Sequence, residues 1–315
     1  MVSVCIPAHN CGQYISDTLQ CLAVQTYKNI EIVVVDDGST DPTKQIVKDF
    51  PADNICLFCQ ESKGAAAARN EAYRKCTGDY IKFMDSDDLI NPDMIESQVK
   101  LALENEGGII SAKWGRFYNN DINTIKLNPE ECWQTLPPAE WLCSSWKNGT
   151  SMTQAGLFLI PRTTIEKAGL WDEELTLIDD LDFFARAILK SKSMVFDPNS
   201  TLYYRSGNHN SLSNHKTKTA IISAFRSIDQ ATENLLLANP GPKALEACAN
   251  VWQRLIYDLY PEYPELVKAA QHKVTKFGGS SLKFVSGGKS AIIAGVFGWK
   301  TVKLLKHLPR KFQLA

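Results

Sequence analysis

Four short apolar runs near the start of the chain predict β-strands. They cover residues 2–6, 30–35, 55–58 and 80–84. Each run is nearly continuously apolar instead of alternating with polar residues, as expected for strands that are covered on both faces. The pattern therefore indicates a buried, largely parallel sheet.

Segments with helical periodicity separate these strands. An apolar stripe at helical spacing follows the first strand, and further helices are predicted to begin near residues 41, 65 and 91. Asp41 with Pro42 has the form of an N-cap followed by proline at the first helical position. Strands that alternate with helices predict βαβ units and an α/β fold with flanking helices.

The alternation stops after residue 108. Mixed strands are predicted from there to about residue 204, including 156–160 and 194–196, with one helix through Phe183 and Phe184. Beyond residue 214 the pattern is helical. We therefore expect a catalytic domain over 1–214 and a helical C-terminal region over 215–315.

Composition narrows the class of protein. The chain has 315 residues and a formal net charge of -1, and it lacks a basic, aromatic-rich motif, so nucleic acid is not an expected partner. Nine cysteines without paired metal spacing predict buried free thiols. The first residues do not resemble a secretory signal, and we expect a cytoplasmic protein.

Polar residues follow the predicted strands at their carboxyl ends, where ligands bind in open α/β sheets. Asp85 and Asp87 come directly after the fourth strand. Two neighbouring carboxylates repel each other unless a cation or a proton compensates, and Mg²⁺ or Mn²⁺ takes one or two carboxylates together with phosphate oxygens. A divalent-cation site is therefore predicted here.

Five segments, in this order and spacing, resemble glycosyltransferase family 2. They are VSVCIPAHN, EIVVVDDGSTD, KGAAAARNEA, GDYIKFMDSDD and GLWDEELTLIDDLDFFARA. The resemblance covers about residues 2–213. It implies the GT-A fold, a Rossmann-like and mostly parallel central sheet, and inverting transfer of a sugar from a nucleoside-diphosphate donor, most often a UDP-sugar, to an acceptor hydroxyl.

The resemblance also implies roles for individual residues. Asp85 and Asp87 match the Asp-x-Asp element that holds the metal, Mn²⁺ or Mg²⁺. The residues implied around the nucleotide sugar are Pro7, Asn10, Asp36, Asp37, Gly64, Arg69, Asp85, Ser86 and His209. Arg205, Ser211 and Ser213 belong, with His209, to a loop after the last strand that can close over the diphosphate.

By position in the family pattern, Asp180 matches the catalytic base. Asp179 stands where the family usually has Glu, and it is assigned with Trp171 and Asp172 to the acceptor side. Two alternatives stay open. The acids at this helix start could complement the helix dipole, and Trp171 could pack in the core.

Other functions fit less well. No Gly-x-Gly-x-x-Gly follows a strand, which argues against a dinucleotide-dependent dehydrogenase, and a sugar nucleotidyltransferase would need a glycine-rich loop after the first strand. The alternative from another class is a non-catalytic nucleotide-sugar or glycan-binding protein. The expected acceptor is a glycan or a lipid-linked saccharide, in the synthesis of cell-surface polysaccharide or lipid-linked glycan.

The end of the chain is strongly basic. No Asp or Glu follows Glu265, whereas eight lysines lie between residues 268 and 306. The apolar run 291–299, continued through Leu308, predicts one apolar-faced helix beside lysines. Either this helix packs on the catalytic domain, or it contacts the inner face of the membrane with Phe297 and Trp299 at the headgroups.

Overall fold

In the computed structural model, residues 1–150, 153–207 and 217–307 are described. The contacts divide the chain into two compact units, one over 1–142 and 152–238 and the other over 143–151 and 239–315. The predicted boundary after residue 214 precedes a helix that packs within the first unit. Its apolar face lies against the helix that carries Asp180, which explains the grouping.

The first unit contains two sheets. The nine strands in the described residues are β1 (Val2–Ala8), β2 (Ile30–Asp37), β3 (Ile55–Gln60), β4 (Tyr80–Phe83), β5 (Leu89–Ile90), β6 (Ile109–Tyr118), β7 (Asp121–Leu127), β8 (Ile160–Pro161) and β9 (Met194–Ser206). The larger sheet has the order β3-β2-β1-β4-β8, and the smaller has the order β5-β9-β6-β7. β1 to β4 are parallel, and β8 pairs antiparallel with β4.

Helices connect these strands. Those of the first unit are α1 (Ile15–Ala23), α2 (Thr43–Asp49), α3 (Ala65–Lys75), α4 (Met94–Glu104), α5 (Pro138–Trp146, whose last residues belong to the second unit), α6 (Arg162–Ala168), α7 (Asp179–Lys190) and α8 (Lys218–Ala238). α3 packs on β1 and β2, α4 packs on β9, and α8 packs on α7. The predicted α/β fold class, a central parallel sheet with flanking helices and a helical C-terminal region, is confirmed.

The four predicted strands are all present, and their buried side chains form the core. Val4, Ile6, Ile32 and Val34 are fully buried. The strand predicted at 156–160 is wrong for most of its length. Gly156 has a φ of +95° within a turn, Leu159 forms an isolated bridge to Ile110, and Ile160 is the one residue of the segment that lies in a strand.

All nine cysteines are free thiols, as predicted, but only six of them are buried, and Cys21 is half-buried. Cys56 and Cys59 are exposed. Both lie on β3, which is the edge strand of the larger sheet. An edge strand is paired on one side only, so these side chains are more open to solvent than the apolar sequence of the strand indicated.

The second unit is helical. Its further helices are α9 (Pro242–Leu259), α10 (Pro264–Lys276), α11 (Lys289–Phe297) and α12 (Trp299–His307). α9 packs on α10 and buries Trp252. The single helix predicted from 291 onward is wrong, because Gly298 adopts a φ of +80° that ends α11 and starts a separate α12.

Candidate active site

The site forms at the carboxyl edge of the larger sheet. β1, β2 and β4 are parallel neighbours, with Ala8 beside Asp36 and Cys5 beside Phe83 in the register. The residues that follow each strand therefore meet along one edge. This topology brings the loops after residues 8, 37 and 84 together, as the sequence predicted.

Asp37 organises the loop that leads into α3. Its Oδ1 accepts hydrogen bonds from Gln60 Nε2 (2.7 Å) and the Lys63 backbone N–H (2.8 Å), and its Oδ2 accepts one from the Gly64 N–H (2.9 Å). Gly64 has a φ of +96°, which a residue with a side chain rarely adopts. From the sequence, Asp37 and Gly64 were assigned to the binding of the nucleotide sugar. In the protein, their hydrogen bond shapes the loop that leads into α3.

Asp36 is held differently. It is 3% exposed, and its Oδ2 accepts a hydrogen bond from the Ser39 N–H (3.3 Å). Its Oδ1 is buried and has no hydrogen-bond partner within the described part of the chain. An unpaired buried acceptor is costly, so this oxygen is suited to receive an N–H or O–H group from a ligand.

Asn10 fixes the neighbouring loop. Its Oδ1 accepts a hydrogen bond from the Thr40 N–H (2.8 Å), and its own backbone N–H donates to Ser39 Oγ (3.0 Å). Asn10 itself has a φ of +48°, a conformation that asparagine tolerates better than most residues. Pro7 lies half-buried in β1, beside Val35 of β2.

Arg69 links two acidic groups that lie far apart in sequence. Its guanidinium donates to Asp85 Oδ1 (2.8 Å) and to Asp179 Oδ2 (2.9 Å), and it is 7% exposed. The end of β4 and the start of α7 are thereby joined through one buried cation. The sequence predicted Arg69 in the site, but not that it would bridge these two acids.

The Trp171 ring packs against the Arg69 guanidinium. The Arg69 guanidinium lies 4.4 Å from the centre of the Trp171 ring, and the indole stacks on Phe183 at 4.2 Å. Trp171 is 3% exposed. The predicted contact between Trp171 and the acceptor is therefore wrong, because the ring belongs to an aromatic cluster in the core.

Asn70 is a residue that the sequence did not single out. Its Nδ2 donates to the Trp171 carbonyl (3.0 Å), and its Oδ1 accepts from the Trp171 N–H (3.0 Å). It thus fixes the segment before α7 to the helix that carries Arg69. The signal in the sequence that could have identified Asn70 is its position next to Arg69.

Asp180 lies in the first turn of α7, with Asp179 and Asp182. Burial, together with the charges of Asp179 and Asp85, raises the pKa of Asp180 to about 7, although the Arg69 charge acts in the opposite direction. Burial also raises the pKa of Asp179. A carboxyl group with a pKa near neutrality can exchange protons at physiological pH, as a general base requires.

Asp182, by contrast, has a structural role. It is 2% exposed, and Arg186 donates to its Oδ2 at 2.6 Å and 3.0 Å. The open alternative was that the acids only complement the helix dipole, and that role does not account for the raised pKa of Asp180. The base assignment to Asp180 nevertheless stays a prediction.

The second acidic group follows β4. Burial and the charge of Asp85 raise the pKa of Asp87 to about 6, while Arg205 lowers it. Asp88, which the sequence did not select, is fully buried and accepts a hydrogen bond from the Arg205 N–H (2.9 Å). Arg205 Nε donates to the Asp87 carbonyl (2.6 Å), so the end of β9 closes this side of the site.

Asp85 and Asp87 supply part of the ligands that a divalent cation needs. Burial first, and the charge of Asp85 second, raise the pKa of Asp87, and a cation would relieve the repulsion between the two carboxylates. Across the described ranges, no group of three or more His, Cys, Asp or Glu side chains could hold a metal. Two carboxylates are nevertheless sufficient for Mg²⁺ or Mn²⁺ when substrate phosphates supply further oxygens.

The remaining predicted residues are more peripheral. The Ser86 carbonyl accepts a hydrogen bond from Thr18 Oγ1 (3.0 Å). The Asp172 carboxylate accepts hydrogen bonds from the Glu174 N–H (3.0 Å) and from Gln230 Nε2 (3.4 Å) on α8, and it lies 3.8 Å from the Arg226 guanidinium. His209, Ser211 and Ser213 lie outside the described residues.

Comparison with known proteins identifies the family. The model of glycosyl transferase family 2 matches residues 3–167, which is more than half of the chain. The chain belongs to glycosyltransferase family 2. The expected family membership is therefore confirmed.

Individual relatives agree with this assignment. Glycosyltransferase GlyG of Streptococcus pneumoniae is 38% identical over 220 residues, which is 65% of this chain and 70% of GlyG. An uncharacterized glycosyltransferase of Rickettsia typhi is 31% identical over 199 residues, or 62% of this chain and 61% of the relative. The chain thus spans less than two thirds of the length of some of these relatives.

Solved structures share the fold. Staphylococcus aureus TarS 1–349 in complex with UDP-GlcNAc has a TM-score of 0.70 at 20% identity, covering 88% of this chain and 80% of that one. The mannosyltransferase PcManGT from Pyrobaculum calidifontis, in complex with GDP-Man and Mn²⁺, has a TM-score of 0.57 at 18% identity, covering 96% and 84%. The first match confirms the GT-A fold.

Proposed function

We propose that this glycosyltransferase transfers a sugar from a UDP-sugar to an acceptor hydroxyl with inversion at the anomeric carbon, and that Asp180 is the base. The observation that supports this most is the bridge through Arg69. It joins Asp85, beside the proposed metal site, to Asp179, next to the proposed base. One buried cation thus couples the leaving-group side to the acceptor side.

The chemistry follows from two separate acidic groups. The Asp180 carboxylate takes the proton from the acceptor hydroxyl while its oxygen forms a bond to the anomeric carbon. The bond between that carbon and the diphosphate oxygen breaks on the opposite face, and the electron pair leaves with the diphosphate. A single displacement of this kind inverts the anomeric configuration.

Asp85 and Asp87 would hold the metal ion, Mn²⁺ or Mg²⁺. Such an ion supplies positive charge to the departing diphosphate. The bound Mn²⁺ of PcManGT supports this part of the proposal. Arg69 already occupies one oxygen of Asp85, so its second oxygen and the Asp87 carboxylate are the groups left for the ion.

The donor proposal rests on Asp36. Its buried and unpartnered Oδ1 is an acceptor for an N–H group, and uracil carries one such group on its pairing edge. TarS binds UDP-GlcNAc, which favours UDP over other nucleotides as the first donor to test. The sugar itself would be a hexose or an N-acetylhexosamine.

For the acceptor, we retain a glycan or a lipid-linked saccharide, with the reaction in the cytoplasm. Indole rings often stack on sugars, but Trp171 is buried, so the acceptor must be recognised by other groups. Asp179 and Asp180, in the first turn of α7, are the acidic side chains that we assign to the acceptor. They would bind the attacking hydroxyl.

The test is release of free nucleoside diphosphate from a panel of UDP-, GDP- and dTDP-sugars with Mn²⁺. We expect release from a UDP-sugar by the parent protein, and loss of about two to four orders of magnitude in Asp180→Asn. Asp53→Asn, at an exposed position of the first unit, is the matched control and should retain full activity.

Binding measured by calorimetry separates the two hypotheses. Asp180→Asn should keep the UDP affinity of the parent. If the parent protein binds a nucleotide sugar but releases no diphosphate with any donor or acceptor, the non-catalytic binding protein is the correct reading. Release that is equal in the parent and in Asp180→Asn would remove Asp180 as the base.

A further inference from the structure

The second unit presents an apolar surface to solvent on α11. Ile292, Val296 and Phe297 are 71%, 69% and 69% exposed, and Val285 just before the helix is 86% exposed. Single exposed apolar residues are normal, but a group on one short helix marks an interaction surface. We call these four residues the α11 patch.

The exposure of the α11 patch does not result from poor packing of the chain's last described helices, because α12 packs firmly on its unit. Val302 is 2% exposed, and Trp299 packs edge-on against Tyr257 at 4.8 Å and Tyr260 at 5.3 Å. The half-buried Trp299 ring thus holds α12 against the unit, and its expected position at a membrane surface stays a prediction. Gly298 then turns the chain so that α11 follows a different direction.

Basic residues flank α11 in the sequence. Lys283 and Lys300 are exposed on either side of α11 in sequence, and no Asp or Glu occurs after Glu265. The acids of the second unit are confined to α9, the turn after it and the start of α10. They are Glu246, Asp258, Glu262 and Glu265.

Some of these acids already have partners. Asp258 accepts a hydrogen bond from Arg254, and Glu262 pairs with His307 at 3.4 Å. They therefore do little to offset the lysines around α11. The surface combines exposed apolar side chains with positive charge.

We propose that the α11 patch binds the surface of an anionic lipid bilayer, with Ile292, Val296 and Phe297 inserted at the headgroup boundary and the lysines beside the lipid phosphates. Apolar side chains flanked by lysines match such a surface in both properties. None of the described helices is long and apolar enough to cross a membrane. α11, with nine residues, would lie along the surface.

A second copy of the chain is the other occupant to consider. In a two-fold dimer the same patch would face itself, which brings Lys283 and Lys300 of one copy towards those of the other. Like charges at close range disfavour that contact. The charge pattern therefore favours an anionic partner over self-association.

The experiment is sedimentation of the whole chain with vesicles, either of neutral phosphatidylcholine or containing anionic phosphatidylglycerol, at low and high salt. We expect binding to the anionic vesicles at low salt and release at high salt. The triple variant Ile292→Ser/Val296→Ser/Phe297→Ser should lose more than about tenfold in partitioning. The control Leu103→Ser/Leu237→Ser changes equally exposed leucines of the first unit and should bind as the parent does.

The charge contribution has its own variants. Lys283→Gln/Lys300→Gln should weaken binding by about fivefold per lysine, whereas Lys44→Gln/Lys48→Gln on α2 should not change it. Thermal unfolding of each variant checks that it is folded. The parent protein alone also tests the proposal, independently of any variant.

Recovery of the parent in the supernatant under every condition would overturn the proposal. Equal binding to neutral and anionic vesicles would also contradict it. Light scattering that shows a dimer in the parent and a monomer in the triple variant would identify a second copy as the occupant instead. None of these outcomes depends on sugar transfer.

Discussion

Replacing Asp180 with Asn should make the unliganded protein more stable while it removes activity. The pKa of Asp180 is raised from 3.8 to about 7, so the folded state holds this proton more tightly than the unfolded state does. Stability from this group is therefore present at low pH and is lost as the pH rises towards 7. Asn mimics the neutral carboxyl group and avoids that loss.

The magnitude follows from the shift. About three pKa units correspond to about 4 kcal/mol at pH 8, an upper value because the side chain keeps some contact with solvent. At pH 5.5 about half of the advantage should remain, and below pH 4 it should vanish. The advantage of Asp180→Asn should thus grow with pH.

Urea unfolding of the parent and of Asp180→Asn at pH 5.5 and pH 8, without nucleotide or metal, measures this difference. Asp53→Asn is the control for loss of one exposed carboxylate and should change the free energy of unfolding by less than about 0.5 kcal/mol. If Asp180→Asn is less stable than the parent at pH 8, or if its advantage is independent of pH, the raised pKa is refuted.

Three further outcomes are expected. Arg69→Met should lower the free energy of unfolding by about 3 kcal/mol at pH 8, because it leaves Asp179 buried without a cation, and a deficit that adding Asp179→Asn does not reduce would refute the bridge. Turnover should need a divalent cation and fall by orders of magnitude in Asp87→Asn, whereas full activity of this variant in excess EDTA would remove the metal proposal. Lys82 is fully buried, and burial lowers its pKa to about 7, so the charged lysine of the parent costs more stability at pH 7 than at pH 9.5. In urea unfolding, the gain in stability of Lys82→Met over the parent should therefore be larger at pH 7, and a gain that is independent of pH would contradict this.

The strands of the larger sheet could be predicted because their signal is local. A run such as 30–35 is short and apolar except for Glu31, and turn residues follow it, which is typical of a strand covered on both faces. The edge where the site forms also follows from the sequence, since parallel strands carry their ligand loops at their carboxyl ends. Asp36, Asp85 and Asp180 were selected on that basis and on the family resemblance.

Contacts over long sequence distances could not be predicted in the same way. The ion pair between Arg69 and Asp179 spans 110 residues, and nothing in either segment indicates the other. The burial of Trp171 depends on Phe83 and Phe183, which come from a strand and a helix far apart in the chain. From the sequence alone, packing of Trp171 in the core and stacking of Trp171 on the acceptor were equal alternatives.

Backbone conformation explains the differences at the C-terminal end. The apolar positions from 291 to 305 continue with helical spacing, so one helix was expected. Gly298 interrupts it, because glycine adopts the positive φ that stops a helix at little cost. The break turns Trp299 inward to Tyr257 and leaves Phe297 exposed.

The central claim is direct displacement with Asp180 as the base, and the anomeric configuration of the product tests it most directly. Proton NMR of the glycoside formed from an α-linked UDP-sugar with Mn²⁺ distinguishes the two stereochemical outcomes. We predict that the product is β-linked and that Asp180→Asn forms neither anomer at a comparable rate. Formation of the α-anomer would show retention, and it would contradict the single-displacement account.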